Sequence, residues 1–292
     1  MKYAWIAFYE GLYPLVSLCK VLSVSRSGYY DWKKRSPSKQ EKRREIIIKA
    51  ARQSYLDSGK VYGHRKVHHD VLEKTGFYCC AETIRRLLAA EGLKSKTVRR
   101  HRYPKAPKNK SVIPNVLSRN FTALEPNQKW VSDITYISTR EGWLYLAVVQ
   151  DIFSRKIVGW AMSSRVDAEL ACKALDMAIS NRRPAGNVLF HTDQGSQYTS
   201  SSFSSALRRF GCISSMSRRG NCWDNAVAEN FFSKLKRERV YRTTYKTREQ
   251  ARQDIFIYLE IFYNRKRRHA GIGYVSPEQF EQEYYRKQKL AA

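Results

Sequence analysis

The feature that most constrains the fold of this chain is the order of its short apolar segments between residues 129 and 217. "KWVSDITYIS" (129–138), "LYLAVVQDIFS" (144–154) and "KIVGWAMS" (156–163) are rich in β-branched and aromatic residues and are joined by short turns. That pattern predicts an antiparallel meander. A helical pattern follows over 166–183, then a fourth strand in "NVLFHTD", a helix over 200–210, a short fifth strand over 212–217 and a helix over 223–240. A meander followed by alternating helices and strands specifies a mixed α/β sheet.

Within this frame three acids sit oddly. Asp133 lies inside the first strand, where Asp is disfavoured. Asp193 ends the fourth strand and is followed at once by Gly195 and small polar residues, and Glu229 lies in the last helix. The strand order is that of the ribonuclease-H-like fold, in which the middle of the first strand and the end of the fourth can be neighbours, and a helix can bring Glu229 to the same point. Three gathered carboxylates repel one another and are costly to bury. Hard divalent cations such as Mg²⁺ resolve the conflict by taking oxygen ligands while keeping positions open for water and phosphate. Two such ions activate an attacking oxygen and stabilise a leaving one in phosphoryl transfer.

The charge balance points to the substrate. The chain carries 54 Lys and Arg against 26 Asp and Glu, a formal +28. Nucleic acid rewards such an excess through counterion release, with an anionic membrane surface as runner-up. No uncharged run is long enough to span a bilayer, and the N-terminal segment lacks the order of a signal peptide, so a cytoplasmic protein is expected, nucleoid-associated when bound to DNA. The six cysteines are scattered without a repeat and read as thiols, not disulfides. A zinc site from His64, His68 and His69 with Cys79 and Cys80 is disfavoured, because adjacent cysteine side chains diverge.

Five regions are expected. Residues 1–35 read as two short helices in a small helix-turn-helix-like segment, with Ser23 and Ser25 as caps, and 36–93 as a helical, helix-turn-helix-like DNA-binding domain. In the latter Ile84, Leu87 and Leu88 face inward, Arg85 and Arg86 face outward, and Gly76 closes the preceding helix. Residues 94–126 form a basic linker that includes Arg99 and Arg100, 127–240 the catalytic core, and 241–292 a C-terminal helical basic tail with the cluster Arg265, Lys266, Arg267, Arg268, His269.

Five stretches in order carry a resemblance: "NQKWVSDITYI", "GWLYLAVVQDIFSRKIVGWAM", "HTDQGSQYTS", "SMSRRGNCWDNAVAENFFSKLK" and "YNRKRRHAGIGYVSPEQF". The chain resembles the second-reading-frame transposases of bacterial insertion sequences, DDE-class enzymes with a retroviral-integrase-like core. The interval from Asp193 to Glu229, 229 − 193 − 1 = 35 residues, is that family's spacing. The resemblance implies that Asp133 bridges two ions, Mg²⁺ or Mn²⁺, that Asp193 and Glu229 each hold one, and that Lys236 contacts terminal DNA. DNA contacts are also expected from Arg85, Arg86, Arg99, Arg100, Arg267 and Arg268. The implied activity is cleavage at insertion-sequence ends followed by strand transfer, on at least a dimer holding transposon ends and target DNA. The full enzyme is often a frameshift fusion with an upstream DNA-binding frame. Alternatives are a ribonuclease-H-like nuclease that cuts without joining, and a non-catalytic DNA-binding regulator derived from a transposase.

Lesser readings stay open from the residues alone. Gly195 allows close backbone approach or a positive φ, Ser200 caps the next helix, and Gln197 and Tyr198 either touch DNA or pack. His191 is either a partner of the acidic site or a buried, hydrogen-bonded histidine. Asp151 ends the second strand and either enters the site or, the reading preferred, forms a turn.

Overall fold

The computed structural model describes residues 2–97, 113–218 and 222–291. Arg99 and Arg100 lie outside the described residues. Residues 2–34 form three short helices where two are expected: α1 (Lys2–Tyr9), α2 (Leu15–Val21) and α3 (Arg26–Lys34). They close on Ile6, Leu18, Cys19 and Tyr29. Ser25 caps α3 by accepting the Gly28 N–H at 3.0 Å.

The next unit holds α4 (Lys39–Asp57), α5 (His64–Thr75) and α6 (Ala81–Ala90). Ser38 and Glu41 form a reciprocal capping box at the start of α4. Gly76, at φ 66°, ends α5 in the left-handed conformation that glycine adopts without penalty. Ile84, Leu87 and Leu88 join Val67, Val71 and Ile47 in its core. His68 Nε2 bonds the Cys79 carbonyl at 2.6 Å, and among the described residues no three His, Cys, Asp or Glu side chains are grouped to hold a metal.

The larger unit is built on a five-stranded sheet ordered β3-β2-β1-β4-β5, from β1 (Lys129–Thr139), β2 (Gly142–Asp151), β3 (Ile157–Ser163), β4 (Leu189–Thr192) and β5 (Ile213–Met216). The first three pair antiparallel, while β1–β4 and β4–β5 are parallel. Helices cover both faces. On one, α7 (Ala168–Arg182) and α8 (Ser201–Arg209) pack on Trp130, Ala147, Val149, Val158 and Phe190. On the other, α9 (Ala226–Glu238) and α10 (Arg248–Phe256) pack on Ile137, Leu144, Leu146 and Val148. Residues 146–149 of β2 therefore alternate between two cores, the period-2 signature of a strand buried on both faces. At Gly159 α7 lies tight against the sheet: a Cβ there would stand 2.3 Å from the Ala174 carbonyl oxygen.

Residues 241–291, expected as a basic tail, fold onto this core. Tyr245, Ala251, Ile255, Tyr258, Leu259 and Tyr263 belong to the same buried cluster as Phe231 and Leu235 of α9. Here α10 runs into a π-helical segment, Ile257–Tyr263. The last helix, α11 (Pro277–Ala291), is held through Glu281, which pairs with Arg182 of α7 at 2.6 Å.

Candidate active site

Strand register brings the two aspartates together. The parallel pairs Lys129–Leu189, Trp130–Phe190 and Val131–His191 share an offset of 60 (189 − 129), which two residues further on matches Asp133 to Asp193. Neighbouring strands lie about 4.8 Å apart. Trp130 and Phe190 point into the α7 side, so the odd-numbered Asp133 and Asp193 take the α9 face. Glu229 arrives by packing: Ala228, just before it, is buried against Val131, Ile152 and Leu117. Phe232 and Leu235 anchor the next turns of α9 on the β1–β2 face.

The electrostatics are those of crowded carboxylates. Burial, then the charges of Asp193 and Glu229, drive the Asp133 carboxyl well above the usual carboxylate range, while the Ile134 N–H and Lys236 work in the opposite direction. Burial raises Asp193 as well, against the Gly195 N–H, which donates to its Oδ1 at 3.0 Å. Gly195 does not have a positive φ. Its role is the close approach: a Cβ there would meet Asp193 Oδ1 at 3.1 Å and Gln197 Oε1 at 2.9 Å. All three donors are hard oxygens, which fits a divalent cation in chemistry. Glu229 is exposed and within electrostatic reach of Asp133, without closing a three-donor cage. Lys236, about two helical turns beyond Glu229 on the same face, sets its ammonium 4.4 Å from the Tyr136 ring centroid.

Support for these groups comes from the residues around them. Asp224, fully buried at the entry to α9, accepts from Asn115 Nδ2 at 2.8 Å, Arg119 Nε at 2.8 Å and the Arg218 N–H at 2.9 Å. The Arg218 side chain and burial act in opposite senses on it, and the net effect holds Asp224 well below the usual carboxylate range. It ties the approach to β1, the exit of β5 and the start of the Glu229 helix. Its sequence signal was its place directly before that helix. His191 is buried and hydrogen-bonded, Nδ1 to Ser215 Oγ at 2.8 Å and Nε2 to Ser217 Oγ at 3.3 Å, and burial pushes it down to about 4. Ser200 caps α8 by accepting the Phe203 N–H at 3.2 Å. Tyr198 packs, its hydroxyl 2.8 Å from Ser132 Oγ, and Gln197 Nε2 donates to the Val166 carbonyl at 3.3 Å. Asp151 is a buried residue at the end of β2, opposite Trp130 and paired at 3.1 Å with Arg182, which it shares with Glu281.

The basic residues divide. Arg85 and Arg86 are exposed on α6, both paired with Glu82. Arg267 and Arg268 are turned inward, which corrects the expectation that they contact DNA. Arg267 is 4% exposed and forms a bidentate pair with Glu238. Arg268 bonds Asp70, Glu73 and the Tyr274 carbonyl, tying the C-terminal segment to α5. A run of charge reads as solvated in sequence, and these partners are distant in the chain.

Residues 123–222 and 229–285 match two families each described as an integrase core domain, and 42–101 match an HTH-like domain. The chain is 40% identical to "Transposase InsF for insertion sequence IS3A" of Escherichia coli (strain K12) over 96% of its own length and 98% of that protein. The chain belongs to the insertion-sequence transposase family. It is also 38% identical to "Insertion element IS600 uncharacterized 31 kDa protein" of Shigella sonnei, over 92% of the transposase and 98% of that relative. Among solved structures, the catalytic core domain of BIV integrase aligns with TM-score 0.41 and 19% identity, covering 56% of the transposase and 99% of that domain. Among the described residues no helix of the transposase is long and apolar enough to cross a membrane.

Proposed function

We propose that the transposase is a DDE-type polynucleotidyl transferase in which Asp133, Asp193 and Glu229 hold the metal. The observation that supports this reading is the parallel β1–β4 register, which continued two residues beyond Val131–His191 sets Asp133 opposite Asp193, with Asp193 and Glu229 both close enough to raise the Asp133 carboxyl. Magnesium or manganese, two ions in this reading, supplies charge neutralisation and activation of the attacking oxygen. The chain's own residues fix the geometry. Gly195 leaves room for the Asp193 carboxylate and its N–H orients it. Asp224 anchors the turn from which the Glu229 helix starts. Lys236 sits on the Glu229 side of α9 to meet a terminal phosphate.

Two in-line displacements at one site account for cleavage and joining. In the first, a water oxygen bonds to phosphorus at the element's end and the DNA 3′-oxygen leaves as a hydroxyl. In the second, that 3′-hydroxyl attacks a target phosphodiester and a target 3′-oxygen leaves, with no covalent bond to protein. DNA contacts from Arg85, Arg86, Arg99, Arg100 and Lys236, a pair of copies on two ends, and cooperation with an upstream-frame product belong to the same proposal. The test is end cleavage and joining with Mg²⁺, using wild type and Asp133→Asn. The variant should retain DNA binding and lose both steps. Joining at the wild-type rate would remove Asp133 from the site, and cutting without joining by wild type would favour the nuclease reading.

A further inference from the structure

A second charged site lies on the other side of α9. Lys234 is five residues beyond Glu229, about 140° around the helix, and faces the C-terminal segment and α5 instead of Asp133 and Asp193. Around it are Lys66 of α5, Arg155 of the turn between β2 and β3, and Arg267 with Glu238. Glu238 is the cluster's carboxylate, and it is already satisfied: Arg267 Nε donates to it at 2.8 Å and the Tyr258 hydroxyl at 2.9 Å. Lys234 and Arg155 have no carboxylate partner among the described residues. The Lys66 ammonium rests 4.9 Å from the Tyr62 ring centroid and likewise lacks one. Three half-buried cations thus sit where the two units meet, beside carboxylates that already have partners: Glu238 with Arg267, Asp70 with Arg268, and Asp151, which faces Arg155, with Arg182.

Burial first and the Arg267 charge second, against the opposing charge of Glu238, hold Lys66 down to about 7 and Lys234 down to about 8. Asp70 also faces Lys66, and Arg155 also faces Lys234. Holding unpaired ammonium groups in such a place is unfavourable unless an anion enters. The walls identify the anion. One belongs to the helix-turn-helix-like unit and the other to the helix that carries Glu229 and Lys236. Hydrogen bonds tie the units together: the Tyr62 hydroxyl donates to the Lys266 carbonyl at 3.0 Å and accepts the Arg268 N–H at 2.8 Å. The π-helical segment just before, Ile257–Tyr263, ends where the chain turns to present Arg267.

We infer that Lys66 and Lys234 together grip a single backbone phosphate of DNA running from the helix-turn-helix-like unit to the active site, with Arg155 lining the same crevice. This inference rests on the reading of DNA as substrate. It adds a subterminal contact that couples recognition by residues 36–93 to placement of the end beside Glu229.

The test uses the full chain and duplex DNA carrying an element end, with affinity measured against salt concentration. Lys66→Gln and Lys234→Gln should each weaken binding roughly tenfold near 0.1 M salt and reduce the slope of log affinity against log salt by about 1. Because both grip one phosphate, the double variant should lose clearly less than the product of the two single losses. Lys287→Gln, on exposed α11, should change neither quantity. Removing a half-buried cation relieves repulsion, so the thermal midpoints of both crevice variants should match or exceed wild type. A phosphate seated there favours the protonated lysines, so binding near pH 8 should take up protons in wild type, read by calorimetry in two buffers of different ionisation enthalpy. Lys234→Arg should restore affinity and slope while reducing that uptake. Unchanged affinity and slope in both Gln variants, beside a wild type that binds, would overturn the inference alone. A wild type that does not bind DNA would overturn the substrate reading and the inference together.

Discussion

The Arg267–Glu238 pair makes a quantitative test of how the C-terminal segment is held. Both side chains are almost fully buried, at 4% and 9% exposure. Glu238→Gln leaves the Arg267 guanidinium buried beside Lys66, Lys234 and Arg155 with no counter-charge, and breaking such a pair from one side costs about 3–5 kcal/mol. Arg267→Met removes a cation from a group that keeps three others, so Glu238 still has Lys66 and Lys234 within reach, and the cost falls to roughly 1–3 kcal/mol. At about 3 °C per kcal/mol for a unit of this size, thermal unfolding followed by circular dichroism should show Glu238→Gln melting roughly 10 °C below wild type and Arg267→Met roughly 5 °C below. The pH dependence has a definite sign. Burial pushes the Glu238 carboxyl up, but the Arg267 hydrogen bonds and charge outweigh it and hold the carboxyl below its ordinary value of 4.5. Between the folded and unfolded values the unfolded chain binds more protons, so this contribution is complete above about pH 5 and disappears as pH falls through the folded value. The acid-induced drop in midpoint should be smaller in Glu238→Gln. Equal shifts for the two variants, or a larger one for Arg267→Met, would refute the reasoning that cations are in excess there.

Other expectations follow from single contacts. Gly159→Ala forces a methyl against the α7 backbone and should destabilise by about 1–3 kcal/mol or more in denaturant titration; a cost below about 0.5 kcal/mol would mean that α7 can retreat. Gly195→Ala crowds Asp193 Oδ1 and should lower end joining roughly tenfold while the melting midpoint stays close to wild type, which separates a site effect from a folding one. Asp133→Asn removes a carboxyl that its neighbours disfavour as an anion. In metal-free buffer it should melt above wild type, and added Mg²⁺ should raise its midpoint less than that of wild type.

Much of the core was legible because its signals are local. The meander strands, the helix over 166–183 and the Ser200 cap each follow from a short stretch. The match of Asp133 to Asp193 needed only strand order, since parallel pairing carries a fixed offset. The C-terminal region was harder for a physical reason. Tyr258, Leu259 and Tyr263 are buried from a π-helical segment, whose period departs from the 3.6-residue pattern that marks an apolar face. Arg267 and Arg268 read as solvated because their neutralising partners, Glu238, Asp70 and Glu73, are remote in sequence. Asp224 is legible in sequence only as a residue near a helix start, because its further roles depend on Asn115 and Arg119, over a hundred residues earlier.

The central claim is that one acidic site where β1 and β4 lie side by side both cuts and joins DNA. The most direct measurement is a strand-transfer assay with purified chain, Mg²⁺ and labelled duplexes from both flanks of its gene, comparing wild type with Asp193→Asn. Joined products that require Mg²⁺ and vanish in the variant are the expected result. Joined products formed equally well by Asp193→Asn would contradict the account.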